Sequence, residues 1–207
     1  ARLPREARYG VFEIGMNHPG EIEPLARQVA AHVGIVTNVG PVHIGHMGSE
    51  EAIADEKACL FAGMVDGATA VLNRDNRHFE RLAGHAARFG VRRVVSFGRS
   101  DAADARLVSC ALHDSGSDVV ALIDGHRIEY RLGAAGEHWV LNSIGALAVV
   151  GALGGDVAAA AATLAGVSAS PGRGARRRLA FGEGAVELLD ESYNANPVSV
   201  RAMLAVL

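Results

Sequence analysis

Three side chains in the first third of the chain have the chemistry to bind a metal ion or an anion, and two of them follow apolar segments. Glu13 stands in the apolar run 9–14, where a carboxylate is costly unless it is paired or bound to a metal ion. His43 follows the apolar run 34–37, and neutral imidazole is a common metal ligand. Ligands of open α/β sheets bind at the carboxyl ends of strands, so both residues are predicted metal ligands. A loop histidine without a ligand is the alternative for His43.

The third side chain, Lys57, is predicted to lie on a helix that begins at Ser49, whose hydroxyl can cap the helix. Helical spacing places Ile53, Leu60 and Phe61 close to the face of Lys57, which predicts a part-buried stem. A buried lysine readily loses its proton, and the neutral amine can react. The alternative is a surface lysine whose stem lies along the protein while its ammonium group reaches water.

Alternating strand and helix patterns are predicted to position these residues. Strands separated by helices of this length predict right-handed βαβ units and a parallel sheet. The predicted strands are 9–14, 34–37, 68–73 and 91–97, and the predicted helices are 21–32, a helix from Ser49, and 75–89.

The pattern changes after residue 98. Short β runs with the turn Asp124-Gly125 predict an antiparallel addition to the sheet, and two alanine-rich segments predict packed helices. The predicted fold class is therefore α/β, a mostly parallel sheet flanked by helices with an antiparallel β addition. The segments are the β runs 106–113, 119–123 and 127–132, the helices 139–153 and 157–167, a loop at 168–178, and a hairpin at 179–189 that turns at 182–184.

A domain boundary is predicted near Asp190. Residues 1–190 are expected to form one central domain, and residues 191–207 to be the start of a second domain that is too short to fold alone.

Composition narrows the class of protein. The 207 residues are 49% hydrophobic and 21% charged, which is typical of a globular domain. A net charge of -3 provides no basic field for nucleic acid, and no apolar run reaches the roughly 18 residues that a membrane helix needs. Cys59 and Cys110 lack CxxC spacing, so we expect two small buried hydrophobes rather than a disulfide. We therefore expect a cytoplasmic monomer that binds no nucleic acid and inserts into no membrane.

Several motifs of the chain resemble, in their order, those of the Mur ligases, and the resemblance covers nearly the whole chain. It points to the central ATPase domain of that family, and its first and last motifs are the most specific. The motifs are Glu13-Ile14-Gly15-Met16-Asn17-His18-Pro19-Gly20-Glu21-Ile22, Thr37-Asn38-Val39-Gly40 with His43, Lys57, His138 with Asn142, Gly172-Arg173, and Ser192-Tyr193-Asn194-Ala195-Asn196-Pro197.

The resemblance implies an ATP-dependent amide ligase of peptidoglycan precursor synthesis. The motif at 193–197 is typical of members that add D-alanyl-D-alanine to UDP-N-acetylmuramoyl-tripeptide through an acyl phosphate. ATP and Mg²⁺ are the implied cofactors, and those two substrates are the implied partners.

The resemblance also implies roles for single residues. Glu13 and His43 would hold Mg²⁺, and Lys57 would be carbamylated so that an anionic oxygen joins the metal site. The implied phosphate and nucleotide contacts are Asn38 in the phosphate and acyl-acceptor cleft, His138 and Asn142 near adenine, Arg173 near the γ-phosphate, Asp190 or Glu191 near the ribose, and Asn194 in the same nucleotide site.

The chain departs from the family pattern at several positions. Trp139 stands where the family usually has Asn, and it could stack on the base or, as we favour, fill the core. Cys59 replaces a common Glu two residues after the lysine, and Glu191 replaces a common Asp. No G-x-x-x-x-G-K-[ST] phosphate loop occurs, so we expect a central domain truncated at its N-terminal side. His46 matches no motif and is predicted to be solvated.

Two alternatives come from other functional classes. The chain could belong to another amide ligase of this fold, of the folate-polyglutamylating or cyanophycin type, although the motif at 193–197 argues against it. It could also be a binding module that keeps the fold without turnover, which the missing phosphate loop makes reasonable.

Overall fold

The computed structural model describes residues 3–42, 44–168, 170, 172, 174–182, 184–190, 192–193, 200–201 and 204. A six-stranded sheet runs in chain order from β1 to β6, and a separate two-stranded sheet contains β7 and β8. The strands are β1 Val33–Val36, β2 Thr69–Asn73, β3 Arg93–Gly98, β4 Ala105–His113, β5 Gly116–Ile123, β6 His126–Leu132, β7 Ala175–Phe181 and β8 Gly184–Asp190. The helices are α1 Ile22–Val29, α2 Ile44–Met47, α3 Glu50–Ala58, α4 Phe79–Arg88, α5 Glu137–Ala152 and α6 Val157–Thr163, with 3₁₀ helices at Cys59–Gly63 and Leu164–Gly166.

The topology confirms the predicted fold class. Strands β1 to β4 pair in parallel, and β4 to β6 continue the same sheet as an antiparallel meander. The turn between β5 and β6 places Asp124 and Gly125 at φ values of 51° and 77°, as the predicted Asp-Gly hairpin requires. Within the described residues, no helix is both long and apolar enough to cross a bilayer.

The parallel part of the sheet is buried on both faces, and side chains of a strand alternate between the two faces. On β2, Val71 belongs to the core beneath α5 and α6, whereas Ala70 and Leu72 belong to the core beneath α3 and α4. The hydroxyl of Tyr130 on β6 bonds to Ser143 on α5 at 2.6 Å, and burial raises the pKa of this tyrosine to about 12. Cys59 and Cys110 are free, as expected, but each is only partly buried.

The predicted strand at 9–14 is wrong. These residues run without strand pairing, and Tyr9, Val11 and Phe12 are exposed. An apolar run becomes a strand only where a partner strand accepts its backbone hydrogen bonds. In the described part of the chain, β1 is an edge strand that pairs with β2 alone. The run 9–14 is therefore not hydrogen-bonded to the sheet.

Two other predicted boundaries also shift. The helix predicted at 75–89 begins at Phe79, because Asn73 Oδ1 accepts the N–H of Asp75 and Asn76 Oδ1 accepts the N–H of His78. Such side-chain bonds to the backbone hold a turn and compete with helix formation. The hairpin predicted at 179–189 begins four residues earlier, at Ala175.

A glycine allows the closest backbone approach on the α1 side of the domain. A Cβ at Gly63 would overlap the carbonyl carbon of Ala26 and the backbone nitrogen of Arg27, both on α1. The end of the 3₁₀ helix therefore packs directly on the α1 backbone, which fixes α1 against the segment that follows α3.

Gly63→Ala should destabilise the domain by about 3 kcal/mol, because the methyl group meets backbone that cannot rotate away. Urea denaturation followed by circular dichroism measures this. Gly84→Ala is the matched control, since Gly84 lies in α4 with open space at its Cβ position. The control should raise stability by up to about 1 kcal/mol through its helix propensity. Equal stability of the two variants would contradict the close packing.

Candidate functional site

Lys57 lies on α3, and its environment matches the expectation of a part-buried amine. Ser49 caps the helix as predicted, its Oγ accepting the N–H of Ala52 at 3.1 Å. Ile53 and Phe61 are fully buried, and Lys57 itself is half-buried. Burial lowers the pKa of Lys57 because desolvation penalises the ammonium form, and no charged partner in the described residues offsets it.

Lys57 is also the only lysine in the chain, and the other side chains that carry a full positive charge at neutral pH are arginines. A guanidinium group stays protonated in proteins and cannot act as a nucleophile, whereas a desolvated amine can. The position thus carries a reactive amine, which no arginine of this chain can supply.

Three asparagines meet at the carboxyl ends of β1 and β2. Asn76 Nδ2 donates to Asn38 Oδ1 and to the carbonyl of Val39, while Asn73 Nδ2 donates to the carbonyl of Thr37 at 3.0 Å. Asn38 is exposed. Its side-chain oxygen Oδ1 accepts hydrogen bonds from Val39 and Asn76, whereas its Nδ2 has no hydrogen-bond partner among the described residues. An amide donor held in this way suits an anionic or carbonyl oxygen.

Sequence reasoning identified Asn38 but missed Asn73 and Asn76, which hold its side chain and the adjacent backbone. The missed signal was Asn73 itself, a polar residue at the end of an apolar strand. The role of Asn76 could be recognised only from the structure, in which the turn after β2 brings this residue back toward the end of β1.

The structure describes two of the three predicted metal ligands, Glu13 and Lys57. Glu13 is exposed and lies outside any strand, and no hydrogen bond or ion pair joins it to Lys57. His43 lies outside the described residues. Across the described ranges, no group of three or more His, Cys, Asp or Glu side chains forms a metal cluster. His46 is exposed as predicted, with its ring 4.8 Å from that of His18.

A second region lies at the start of α5. A cavity of about 550 Å³ opens between this helix and the β7–β8 hairpin, lined by His138, Trp139, Arg176 and Glu187 among others. His138 is exposed at the surface of the helix, and partial desolvation of its ring lowers its pKa. Asn142 is exposed one turn further along α5, on the same side of the helix as His138 by its spacing.

Trp139 is partly buried and combines the two roles considered for it. It packs against the core beneath α5 and also lines the cavity, with its ring 5.9 Å from that of His138. An aromatic wall beside polar groups in a cavity of this size is typical of a site for a flat organic ligand.

Asp190 joins two loops at the end of β8. Its Oδ1 accepts the N–H and the hydroxyl of Ser192, at 3.2 and 2.6 Å, and its Oδ2 accepts the N–H of Gly172 at 3.1 Å. The bonds from Ser192 are the main reason why the pKa of Asp190 is lowered. A Cβ at Gly172 would crowd Tyr193, whose N–H donates to the Gly172 carbonyl. Gly172 and the Ser192-Tyr193 motif therefore lie side by side.

The other predicted nucleotide contacts, Arg173, Glu191 and Asn194, lie outside the described residues. The role of Asp190 at a ribose stays a prediction, because its described contacts are all within the protein.

A buried carboxylate, Glu56, was missed from the sequence. Its Oε2 accepts the N–H of Gly20 at 2.8 Å, and its Oε1 accepts the N–H of Ile22 at 2.9 Å. Nothing in the local sequence signals this role, since a Glu beside a Lys on a helix is usually a surface residue.

A family model described as the Mur ligase middle domain matches residues 1–150 of this chain. The chain belongs to the Mur ligase family. The resemblance read from the sequence is thereby confirmed at the level of the family.

Individual relatives extend the match over the rest of the chain. A UDP-N-acetylmuramoyl-tripeptide--D-alanyl-D-alanine ligase from Mycobacterium tuberculosis is 33% identical over 207 residues, which is 100% of this chain and 39% of the relative. The crystal structure of MurF from Acinetobacter baumannii superimposes with a TM-score of 0.88 at 26% identity, covering 99% of this chain and 43% of that one. A folylpolyglutamate synthase from M. tuberculosis, solved with ADP and AMPPCP, gives a TM-score of 0.71 at 25% identity over 87% of this chain and 40% of that one. The chain thus spans less than half the length of these Mur ligase relatives.

The lowered pKa of His138 predicts a pH dependence of stability. Below about pH 6.5 the unfolded chain takes up a proton that the folded state resists, so folding free energy is lost as the pH falls from 6.5 toward the lower folded pKa. His138→Gln removes this loss, so the variant should gain stability relative to the wild type between about pH 7 and pH 5. Urea denaturation at several pH values measures the difference, with His126→Gln on β6 as the control for a histidine that does not line the cavity. A His138→Gln difference that stays constant over this range would contradict the assignment.

Proposed function

We propose that this chain is the central, nucleotide-binding domain of an ATP-dependent amide ligase that joins D-alanyl-D-alanine to UDP-N-acetylmuramoyl-tripeptide. The observation that carries the proposal is the match to ligases of that name over the entire chain at 33% identity. Residues 1–190 would form the central domain and residues 191–207 the start of the following ligase domain.

The reaction consists of two balanced steps. The terminal carboxylate of the tripeptide attacks the γ-phosphorus of ATP, giving an acyl phosphate and ADP. The amine of D-alanyl-D-alanine then attacks the acyl carbon, phosphate leaves, and the amine gives up a proton as the amide forms. The domain would contribute by positioning groups and by stabilising developing charge, which are the main protein contributions to phosphoryl transfer.

The cavity beside α5 and the asparagines at the sheet edge would bind different parts of the substrates. The cavity beside α5, which His138 and Trp139 line, would take the adenine. Asn142, one turn further along α5, would contact the same base. Asn38, held by Asn76, would donate to a phosphate or acyl oxygen at the sheet edge. Asp190 would hold the Gly172-Arg173 loop near the γ-phosphate or contact the ribose, with Glu191 and Asn194 following it.

Lys57 would act as a carbamate. Its neutral Nζ attacks the carbon of CO₂, a nitrogen–carbon bond forms, and a proton leaves to solvent, so that a cation is replaced by an anion. The lowered pKa supports this chemistry because only the neutral amine reacts.

Magnesium prefers oxygen ligands and is commonly held by one or two carboxylates together with substrate phosphates, which supports a site built on Glu13 and a carbamate oxygen. Glu13, His43 and the Lys57 carbamate would hold it. When bound, Mg²⁺ supplies charge neutralisation at the transferring phosphate.

The alternative of a folate-polyglutamylating ligase receives less support. The folylpolyglutamate synthase superimposes less well than MurF, with TM-scores of 0.71 and 0.88, and over a smaller part of the chain. A cyanophycin-type ligase and a binding module without turnover remain separate outcomes of the activity test.

The carbamate can be tested on this chain because it contains a single lysine. With ¹³C-bicarbonate at about pH 8, where lowering the pKa of a lysine enlarges its neutral fraction, carbon NMR should show one side-chain carbamate signal that is absent from Lys57→Arg. The double variant Lys57→Arg with Arg88→Lys is the control, since it places a lysine at an exposed position on α4. A wild-type spectrum without the signal, or an equal signal from the control, would count against a special reactivity at position 57.

The substrate assignment can be tested on the ligase that contains this domain. Phosphate release from ATP should require UDP-N-acetylmuramoyl-tripeptide together with D-alanyl-D-alanine, and Lys57→Arg should lower turnover by about 10²-fold or more because anionic and electrostatic stabilisation is lost. Release that depends instead on a folate with L-glutamate, or on a cyanophycin primer with an amino acid, would replace the proposal with the corresponding ligase. Nucleotide binding without release under any of these conditions would indicate a binding module.

A further inference from the structure

The carboxylate of Glu56 is almost fully withdrawn from water, with an exposed fraction of 7%. Both of its oxygens accept backbone N–H groups, and those groups lie on either side of Glu21, the residue that caps the start of α1. Glu21 makes no side-chain bond to its own helix. Glu56 therefore supplies from α3 the acceptor that α1 lacks locally, at the end of the helix where negative charge is favourable.

The segment before α1 is closed by a second carboxylate. Glu21 Oε2 accepts the N–H of Asn17 at 2.7 Å and that of His18 at 3.2 Å. Gly20, which lies between His18 and Glu21, has a φ of +85°, a conformation that favours glycine. The motif at 17–21 is thus a turn held from within by Glu21 and from α3 by Glu56.

The same segment is anchored on its apolar side. Met16 packs against the core cluster that contains Ile53, Ala54 and Ala58 of α3. Residues 16–22 are consequently held in two ways, by the apolar contact of Met16 with this core and by the hydrogen bonds to Glu56 on α3. Glu13 lies three residues before this anchored segment, and Lys57 is the next residue after Glu56 on α3.

Glu56 does not pair with Lys57. Successive helix residues point about 100° apart, and burial alone accounts for the lowered pKa of Lys57. Burial is the main reason why the pKa of Cys59 is raised, and the charge of the Glu56 carboxylate adds to it. The spacing of three residues places these two side chains on one face of the helix.

We propose that Glu56 is a positioning residue that locks the Asn17–Ile22 turn onto α3 and so sets the placement of Glu13 relative to Lys57. This inference rests on the proposed function, in which Glu13 and Lys57 belong to one magnesium site. Residues that orient metal ligands without touching the metal typically change metal affinity by about 10- to 100-fold when they are altered.

The first measurement concerns the lock and does not depend on ligase activity. In Glu56→Gln, the side-chain amide can accept one N–H but repels the other, so hydrogen exchange of the Gly20 and Ile22 amides in this chain should quicken at least tenfold. Amides in β2 and β3 should exchange as in the wild type. Glu51→Gln, on the exposed side of the same helix, is the matched control. Unchanged hydrogen exchange at Gly20 and Ile22 would show that Glu56 does not hold the turn onto α3.

The second measurement separates positioning from general stability. In the ligase that contains this domain, Glu56→Gln should raise the Mg²⁺ concentration for half-maximal activity about tenfold while kcat at saturating Mg²⁺ changes little. A variant with faster exchange but an unchanged Mg²⁺ requirement would show a purely structural residue and overturn the proposal. Should Glu56→Gln fail to fold, Glu56→Asp carries the same test with a smaller shift, because it keeps the charge but is one methylene too short for both amides. A wild-type ligase without Mg²⁺-dependent turnover would refute the proposed function, while the exchange result would still decide whether the lock exists.

Discussion

The two hydrogen bonds that Glu56 accepts from the start of α1 determine how the N-terminal third of the domain is arranged. A buried carboxylate persists only when its oxygens are satisfied, and here two backbone amides satisfy both. Glu56 points away from Lys57, because successive helix residues lie about 100° apart. The half-buried amine has no ion pair in the described residues, and burial lowers its pKa. One tertiary contact thus places the turn that precedes α1.

Helix α5 connects the two regions of the candidate site. His138 lies in its first turn beside the cavity, and Gly145 lies two turns later against β1 and β3. A Cβ at Gly145 would come within 3.1 Å of both Ile35 and Phe97, so the helix rests directly on those strands. The distance between the cavity and the asparagine cluster at the end of β1 is therefore set by packed core rather than by loops. A nucleotide with its base in the cavity would need this kind of fixed separation to present its phosphates.

The sequence was most informative where a local physical rule decides the structure. The Ser49 cap, the Asp124-Gly125 turn and the alternation of strands and helices follow from capping, positive φ and periodicity, and all are found. It was least informative where the outcome depends on a partner distant in the chain. The run 9–14 has strand character but no pairing in the described residues, and Glu56 is charged yet buried because amides 34 and 36 residues away reach it. Asn76 supports Asn38 for the same reason, across 38 residues of sequence.

Arginine and lysine occupy different kinds of position in this chain. Arginines form the surface ion pairs, such as Arg81 with Asp55 between α3 and α4, where a permanent charge and a rigid fork of donors are useful. Such exposed pairs contribute little stability each, so their identity is weakly constrained. The single lysine stands instead where burial works against its charge. An arginine there would keep its proton and impose a buried cation with no counter-charge, which is more costly than a neutral amine. Of the two side chains that carry a full positive charge at neutral pH, lysine is the one that can lose its proton, so lysine is compatible with this half-buried position and arginine is not.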